Sequence, residues 1–258
     1  MLATYPLPAF KDNYIWCLPG TEDRVAVVDP GDALVVLAHL RVTKQFLSAI
    51  LITHHHHDHS GGIAALRAAF PEVPVYGPSQ EYVQGLTHRL SEGDTVTVPG
   101  LSTVFQVLAV PGHTLGHLAY LGDGALFCGD SLFACGCGRF FEGTPEQAQQ
   151  SLQKYRALPP ETLVYCAHEY TLDNIEFATW VEPDNLALQQ RAVREQARRA
   201  AGQPTLPSTL ELECLTNPFM RYQEPTVIKA AEAYIGYPLT TDSAVVKTVR
   251  AWKDREFD

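Results

Sequence analysis

The sequence lacks a basic excess, a paired-cysteine motif and any apolar run of membrane length. Of 258 residues, 19 are Lys or Arg and 29 are Asp or Glu, for a net charge of −10. Proteins that grip a nucleic acid backbone need a basic face, so nuclease chemistry is disfavoured and a small-molecule partner is expected. No stretch approaches the ~18–20 apolar residues of a membrane span. The opening MLATYPLPAFKDNYIW is broken by Lys11 and Asp12 before a leader-like apolar core develops, so no secretory signal is expected. The six cysteines, at 17, 128, 135, 137, 166 and 214, include no C-x-x-C, and they read as reduced thiols of a cytoplasmic protein. Cys135 and Cys137 flank a single glycine, where a disulfide would be strained; adjacent free thiols are the expectation. No coiled-coil repeat suggests an assembly helix, and a monomer is expected.

What is present is a chain of two characters. Through residue 172, short apolar runs alternate with turn residues. Strands are expected at Arg24–Val28, Ser48–Thr53, Val73–Tyr76, Thr95–Val98, Val104–Val110, Leu118–Leu121, Ala125–Cys128 and Leu163–Cys166, with a helix at Ile63–Phe70. Gly122-Asp123-Gly124 marks a hairpin turn. Thr144-Pro145-Glu146-Gln147 is a capping box with proline at the first helical position. Residues 173–258 read as mostly helical: Asn174–Trp180, Asn185–Ala201, Thr226–Ile235, and a last helix from Thr241 or Asp242 carrying an apolar stripe of Val245, Val249 and Trp252. Gly202–Pro218, rich in Pro, Thr and Leu, is expected to be a linker or extended loop. The fold class is therefore α/β, with a boundary near 172 between a strand-rich part and a helical part.

Chemistry concentrates where strands end. The run Thr53-His54-His55-His56-His57-Asp58-His59 follows a strand buried on both faces. In an extended loop alternate side chains point the same way, so His54 and His56 can reach one metal, while Asp58 and His59, past a bend, can face another. Imidazole and carboxylate donors suit zinc, iron or manganese. A terminal purification tag would look similar, but this run is internal and follows a core strand. His55 and His57 alternate away and are not assigned as ligands. Further donors follow other strands: His113 and His117, Asp130 and His168. His113 directly follows its strand and turn and is the better placed of its pair, leaving His117 to packing or support. Asp130, after Cys128-Gly129, would be a costly buried charge without a cation, and its two oxygens could bridge two metals. Asp29 fits equally a hydrogen-bond partner of a ligand histidine and a turn former.

The motifs THHHHDH, PGHTLGH, CGDSLF and CAHEYT, in this order, resemble those of the metallo-β-lactamase superfamily. With LPAFKDNYIW, GCGRFFEGTPEQ, TNPFMR and VRAWKDREF the resemblance extends over nearly the whole chain and is to the glyoxalase II (hydroxyacylglutathione hydrolase) family. It implies an αββα metallo-β-lactamase sandwich followed by a helical domain that helps hold glutathione. It implies two divalent metals, zinc first, with iron or manganese possible. One would be bound by His54, His56 and His113, the other by Asp58, His59 and His168, and Asp130 and a hydroxide would bridge them. The implied activity is hydrolysis of the thioester of S-D-lactoylglutathione, in methylglyoxal detoxification, with Asp58 and Asp130 in the catalytic centre.

Glutathione carries two carboxylates, and an acidic protein must place cations for them. Arg250 and Lys253 are three apart and share a helix face, although cations near a helix C-terminus are favoured in any case. The family resemblance implies that this pair contacts the glycine carboxylate, that Arg139 occupies a position often filled by lysine, and that Tyr170 lines the glutathione site. Where many relatives read Phe-Tyr after that cation, this chain has Phe140-Phe141, so Phe141 lacks a phenol hydrogen bond to the substrate. Alternatives on the same fold are a β-lactamase, which would lack the helical tail, and a glutathione persulfide dioxygenase with one iron, against which the full second ligand set argues.

Overall fold

The computed structural model describes residues 2–257. The first half of the chain is β1 (Tyr5–Ala9), β2 (Asn13–Pro19), β3 (Arg24–Val28), α1 (Ala33–Thr43), β4 (Phe46–Leu51), α2 (His57–Ser60), α3 (Ile63–Ala69), β5 (Val75–Pro78), β6 (His88–Leu90), β7 (Thr95–Thr97), β8 (Val104–Ala109), β9 (Leu118–Gly122) and β10 (Ala125–Gly129). Then follow α4 (Pro145–Arg156), β11 (Leu163–Cys166), α5 (Thr171–Val181), α6 (Leu186–Ala200), β12 (Ser208–Thr209), α7 (Leu210–Thr216), α8 (Pro225–Ile235) and α9 (Asp242–Glu256). One sheet runs β1-β2-β3-β4-β5-β6 and the other β12-β11-β10-β9-β8-β7. This is the mixed α/β metallo-β-lactamase fold expected from the sequence.

Period-two alternation explains the layers. In β2, Tyr14, Trp16 and Leu18 enter the core between the sheets, whereas Ile15 and Cys17 join a second core under the helices. In β3, Ala26 and Val28 face inward, and Val25 and Val27 meet the outer cluster that includes Val36 and Leu40 of α1 and Ile63 and Leu66 of α3. Opposite, Phe105 and Val107 of β8 and Phe127 of β10 complete the inner core, which continues through Tyr155 of α4 to Phe177, Phe219 and Val249 of the helical third. Burial of both faces accounts for the continuous apolar run of β4.

The expected strands and helices appear within a few residues. Several elements were not expected, among them β1, α1 and two within residues 202–218. β1 contains Pro6 and Pro8, which mask its strand character, but it is an edge strand, where missing donors are tolerated. α1 is capped by Asp32, whose side chain accepts from Leu34 N at 2.8 Å. The supposed linker 202–218 is corrected: it contains β12, which pairs with β11, and the helix α7, capped by Thr209. Its helical signal is obscure because its buried face carries Glu213 and Thr216, polar residues that a hydrophobic pattern does not register. Among the described residues, no helix is long and apolar enough to cross a membrane.

Candidate metal centre and substrate cleft

The parallel pairs β3/β4 and β10/β11 end on one edge of the sandwich, and the segments after them converge there. Asp29 follows β3, residues 53–59 follow β4, Asp130 follows β10 and His168 follows β11; His113 comes from the turn beyond β8. Two close approaches need glycine. A Cβ on Gly31 would lie 1.9 Å from the Asp58 carbonyl oxygen. Gly129, at φ +50, would direct one to 2.4 Å from Thr53 Oγ1 and 2.8 Å from the His117 ring.

Three overlapping donor groups result, each with its donor atoms within 4.8 Å of one another: His54, His56 and His113; His54, His59 and Asp130; and Asp58, His59 and His168. His56 Nδ1 lies 3.0 Å from both His54 Nε2 and His113 Nε2. Asp130 spans the cluster, with Oδ2 3.4 Å from His113 Nε2 and Oδ1 3.4 Å from His59 Nε2 and 3.5 Å from His168 Nε2. Asp58 Oδ2 is 3.4 Å from both His59 Nε2 and His168 Nε2.

Outer partners orient these rings. His59 Nδ1 donates to Asp29 Oδ2 at 3.0 Å, and His168 Nδ1 to Asp12 Oδ1 at 2.7 Å. His113 Nδ1 donates to the Arg139 carbonyl at 2.8 Å. Thr53 Oγ1 donates to Asp29 Oδ2 at 2.7 Å, which leaves its lone pair for His54 Nδ1 at 3.0 Å. With Nδ1 committed on these four rings, Nε2 is the atom each turns toward the centre, the arrangement expected of metal-binding histidines. Asp29 is thus a ring-orienting partner rather than only a turn former. Asn13 donates to Asp58 Oδ2 at 3.0 Å, and Glu81 staples two loops by accepting from His55 N and Gly116 N, each at 2.8 Å.

The donor set fits cations. Among the described residues, His59 Nε2 and Asp130 Oδ1 are buried and have no hydrogen-bond partner, a rare state for such atoms unless an ion satisfies them. Burial, with neighbouring imidazoles, holds His54 well below its ordinary pKa, and burial lowers His56 and His113. Burial alone would also lower His59 and His168, but Asp130 and neighbouring carboxylates outweigh it, raising His59 well above its ordinary value and His168 to about 10. The carboxylate side of the cluster therefore demands positive charge.

His117 stays outside the three groups. It is buried, stacks on His54 at 4.6 Å and accepts from Asp130 N at 3.2 Å through Nε2. His55 turns away to Glu142 at 2.9 Å, and His57 is exposed.

A cleft of about 430 Å³ opens from the cluster, and its walls include Arg139, Phe141, Tyr170, Arg250 and Lys253 as well as His56, Asp58, His113, Asp130 and His168. Tyr170 stacks on His168 at 4.7 Å and 9°. Phe141 is 62% exposed and sets its ring against His113 at 5.3 Å and His56 at 5.9 Å. Arg250 and Lys253 are buried rather than on a solvated helix face. Arg250 donates to the Cys137 carbonyl at 2.9 Å and pairs with Asp254 at 2.9 Å; Arg139 lies 3.5 Å from the same carboxylate. Asp12, Asn13, Glu81 and Glu142 were missed by sequence reasoning. Only Asp12-Asn13 carried a signal, as polar residues immediately before an apolar strand.

Comparison with known proteins shows the family and the fold. Residues 14–168 match the Metallo-beta-lactamase superfamily, and residues 169–256 match Hydroxyacylglutathione hydrolase C-terminus. The chain is 51% identical over 254 residues to a hydroxyacylglutathione hydrolase of Nitrosomonas europaea, covering 98% of this chain and 96% of that one. It is 56% identical over 250 residues to one from Alkalilimnicola ehrlichii, covering 96% and 97%. Among solved structures, the BLEG-1 B3 metallo-beta-lactamase superposes with a TM-score of 0.63 at 23% identity, over 85% of this chain and 99% of that one, a likeness of fold.

Proposed function

The chain belongs to the hydroxyacylglutathione hydrolase family, and on that premise we propose that it uses water to split the thioester of S-D-lactoylglutathione and related S-2-hydroxyacylglutathiones, giving a 2-hydroxy acid and glutathione. The observation that carries this reading is that one cleft holds both the His/Asp cluster and the cations Arg250 and Lys253. A catalytic centre and an anchor for an anionic thiol carrier thus lie within reach of one substrate.

Two divalent cations suit the donor set, zinc first and iron or manganese also. His54, His56 and His113 would hold one, Asp58, His59 and His168 the other, with Asp130 between them. When bound, such a pair supplies a water acidified toward neutral pH and positive field at the carbonyl oxygen. The protein's residues do the remainder. Arg250, Lys253 and Arg139 receive the glutathione carboxylates, and Tyr170 and Phe141 wall the thioester. Asp58, held at Oδ2 by Asn13, orients the attacking water. The water oxygen joins the carbonyl carbon, the carbon–sulfur bond breaks, and the water's proton restores the thiol. A thiol of pKa about 8.5 leaves as thiolate without a strong acid, so no separate proton donor is needed.

The proposed setting is a cytoplasmic monomer that disposes of methylglyoxal after its capture by glutathione. The six unpaired cysteines support a reducing compartment. Thiol release from lactoylglutathione tests the activity, run beside nitrocefin, glutathione persulfide and a pre-tRNA. Turnover of the first alone is expected, and preferential turnover of any other would replace this reading.

A further inference from the structure

The strap between β10 and α4 forms one wall of the cleft and touches both the donor cluster and Arg250. Gly138 N donates to the Asp130 carbonyl at 3.0 Å, the Arg139 carbonyl accepts from His113 Nδ1, and the Cys137 carbonyl accepts from Arg250. Phe133 sets its ring edge against His168 and Tyr170. Phe133 and Gly136 close a turn on each other through one antiparallel bridge, and within it Cys135 sits at φ 60, in the left-handed region that a non-glycine residue adopts only when its surroundings hold it there.

What holds it comes from the helical third. Glu213 of α7 is wholly buried and uses both oxygens. Oε2 accepts from Cys135 N at 2.7 Å and from Asn217 Nδ2 at 3.0 Å; Oε1 accepts from Arg191 Nη2 of α6 at 2.7 Å and from Ser208 Oγ. Asn217 Nδ2 also lies 2.9 Å from the Gly136 carbonyl and 3.2 Å from that of Phe133. Arg191 donates to Thr216 Oγ1 at 2.6 Å, while its Nε has no partner among the described residues. A buried ion pair with an unsatisfied donor is a poor device for stability, since a well-packed apolar pair would serve as well or better. What an apolar pair could not do is accept the Cys135 amide.

We propose that Glu213 and Asn217 are positioning residues for substrate: from behind the cleft they fix the left-handed turn at Cys135, and so the placement of the Cys137 carbonyl, Arg250 and the ring of Phe133. The effect on substrate rests on the proposed thioesterase reading; the effect on the strap does not. Neither residue touches the cleft, so their influence passes through the strap. Glu213→Gln tests this, because its amide keeps an oxygen for Arg191 but turns an NH2 group toward the Cys135 and Asn217 donors. Asn217→Ala is the second variant. It leaves the ion pair intact, which keeps the test alive where Glu213→Gln unfolds.

In the full-length metal-loaded protein, amide hydrogen exchange over 133–139 is expected to accelerate at least tenfold, with exchange in α1 and α3 unchanged. Affinity for S-methylglutathione, a thioether that cannot be hydrolysed, is expected to fall about tenfold, and KM for lactoylglutathione to rise while kcat changes less than threefold. A purely structural role would lower thermal stability and leave thioether affinity and KM alone, and that result would overturn the proposal, as would unchanged exchange in the strap. Absence of thiol release by the wild-type chain, with the exchange contrast intact, would remove the proposed function and still support the strap assignment.

Discussion

The loops after the strands and the helices after residue 169 build one cleft by different means. The strand-end loops carry donors whose positions follow from backbone geometry: a buried strand stops, and the next polar side chains point into the shared edge. Their partners are immediate, as with Asp29 beside Thr53 and His59. The helical third contributes two cations from α9 directly, and otherwise acts through a buried polar network around Glu213 that reaches the cleft only by way of the strap. One region is read residue by residue. The other works through packing between elements far apart in sequence.

That contrast can be broken by substitution. The largest effect is expected in the strand-end region. Asp130→Ala should reduce kcat/KM by about a thousandfold or more, the scale seen when preorganised charge at a reacting centre is removed, and should lower metal content; thiol release with elemental analysis checks both. In the helical region the loss should fall on binding. Lys253→Ala should raise KM for lactoylglutathione roughly 10- to 100-fold with kcat little changed, the size of one charge-assisted hydrogen bond. The smallest effect is a gain. Phe141→Tyr should lower KM by about two- to fivefold through one added phenol hydrogen bond worth roughly 0.5–1 kcal/mol; no change would mean that the exposed ring only shields His56 and His113.

The same contrast explains what could be read in advance. Most strands around the donors were legible because apolar runs ending in His or Asp state both the element and its exit, and the metallo-β-lactamase fold followed from the resemblance of the motifs those runs carry. β1 was hidden by two prolines that an edge strand tolerates. α7 was hidden because Leu210 is joined on its buried face by Glu213 and Thr216, whose partner Arg191 lies 22 residues from Glu213, a pairing no local pattern announces. Asp12, Asn13 and Glu81 were missed for a related reason: each acts on a residue far away in sequence that only the folded chain brings near. Arg250 and Lys253 were singled out as a pair on one helix face, but that both are buried, with Arg250 reaching the Cys137 carbonyl of the strap, was not legible from spacing.

The central claim is that Asp130 stands between two cations. Anomalous diffraction from crystals of the metal-loaded protein tests it most directly. Two peaks per chain are predicted, one among His54, His56 and His113 and one among Asp58, His59 and His168, each within bonding distance of an Asp130 oxygen. A single peak, or an Asp130 carboxylate turned away from both, would contradict the account.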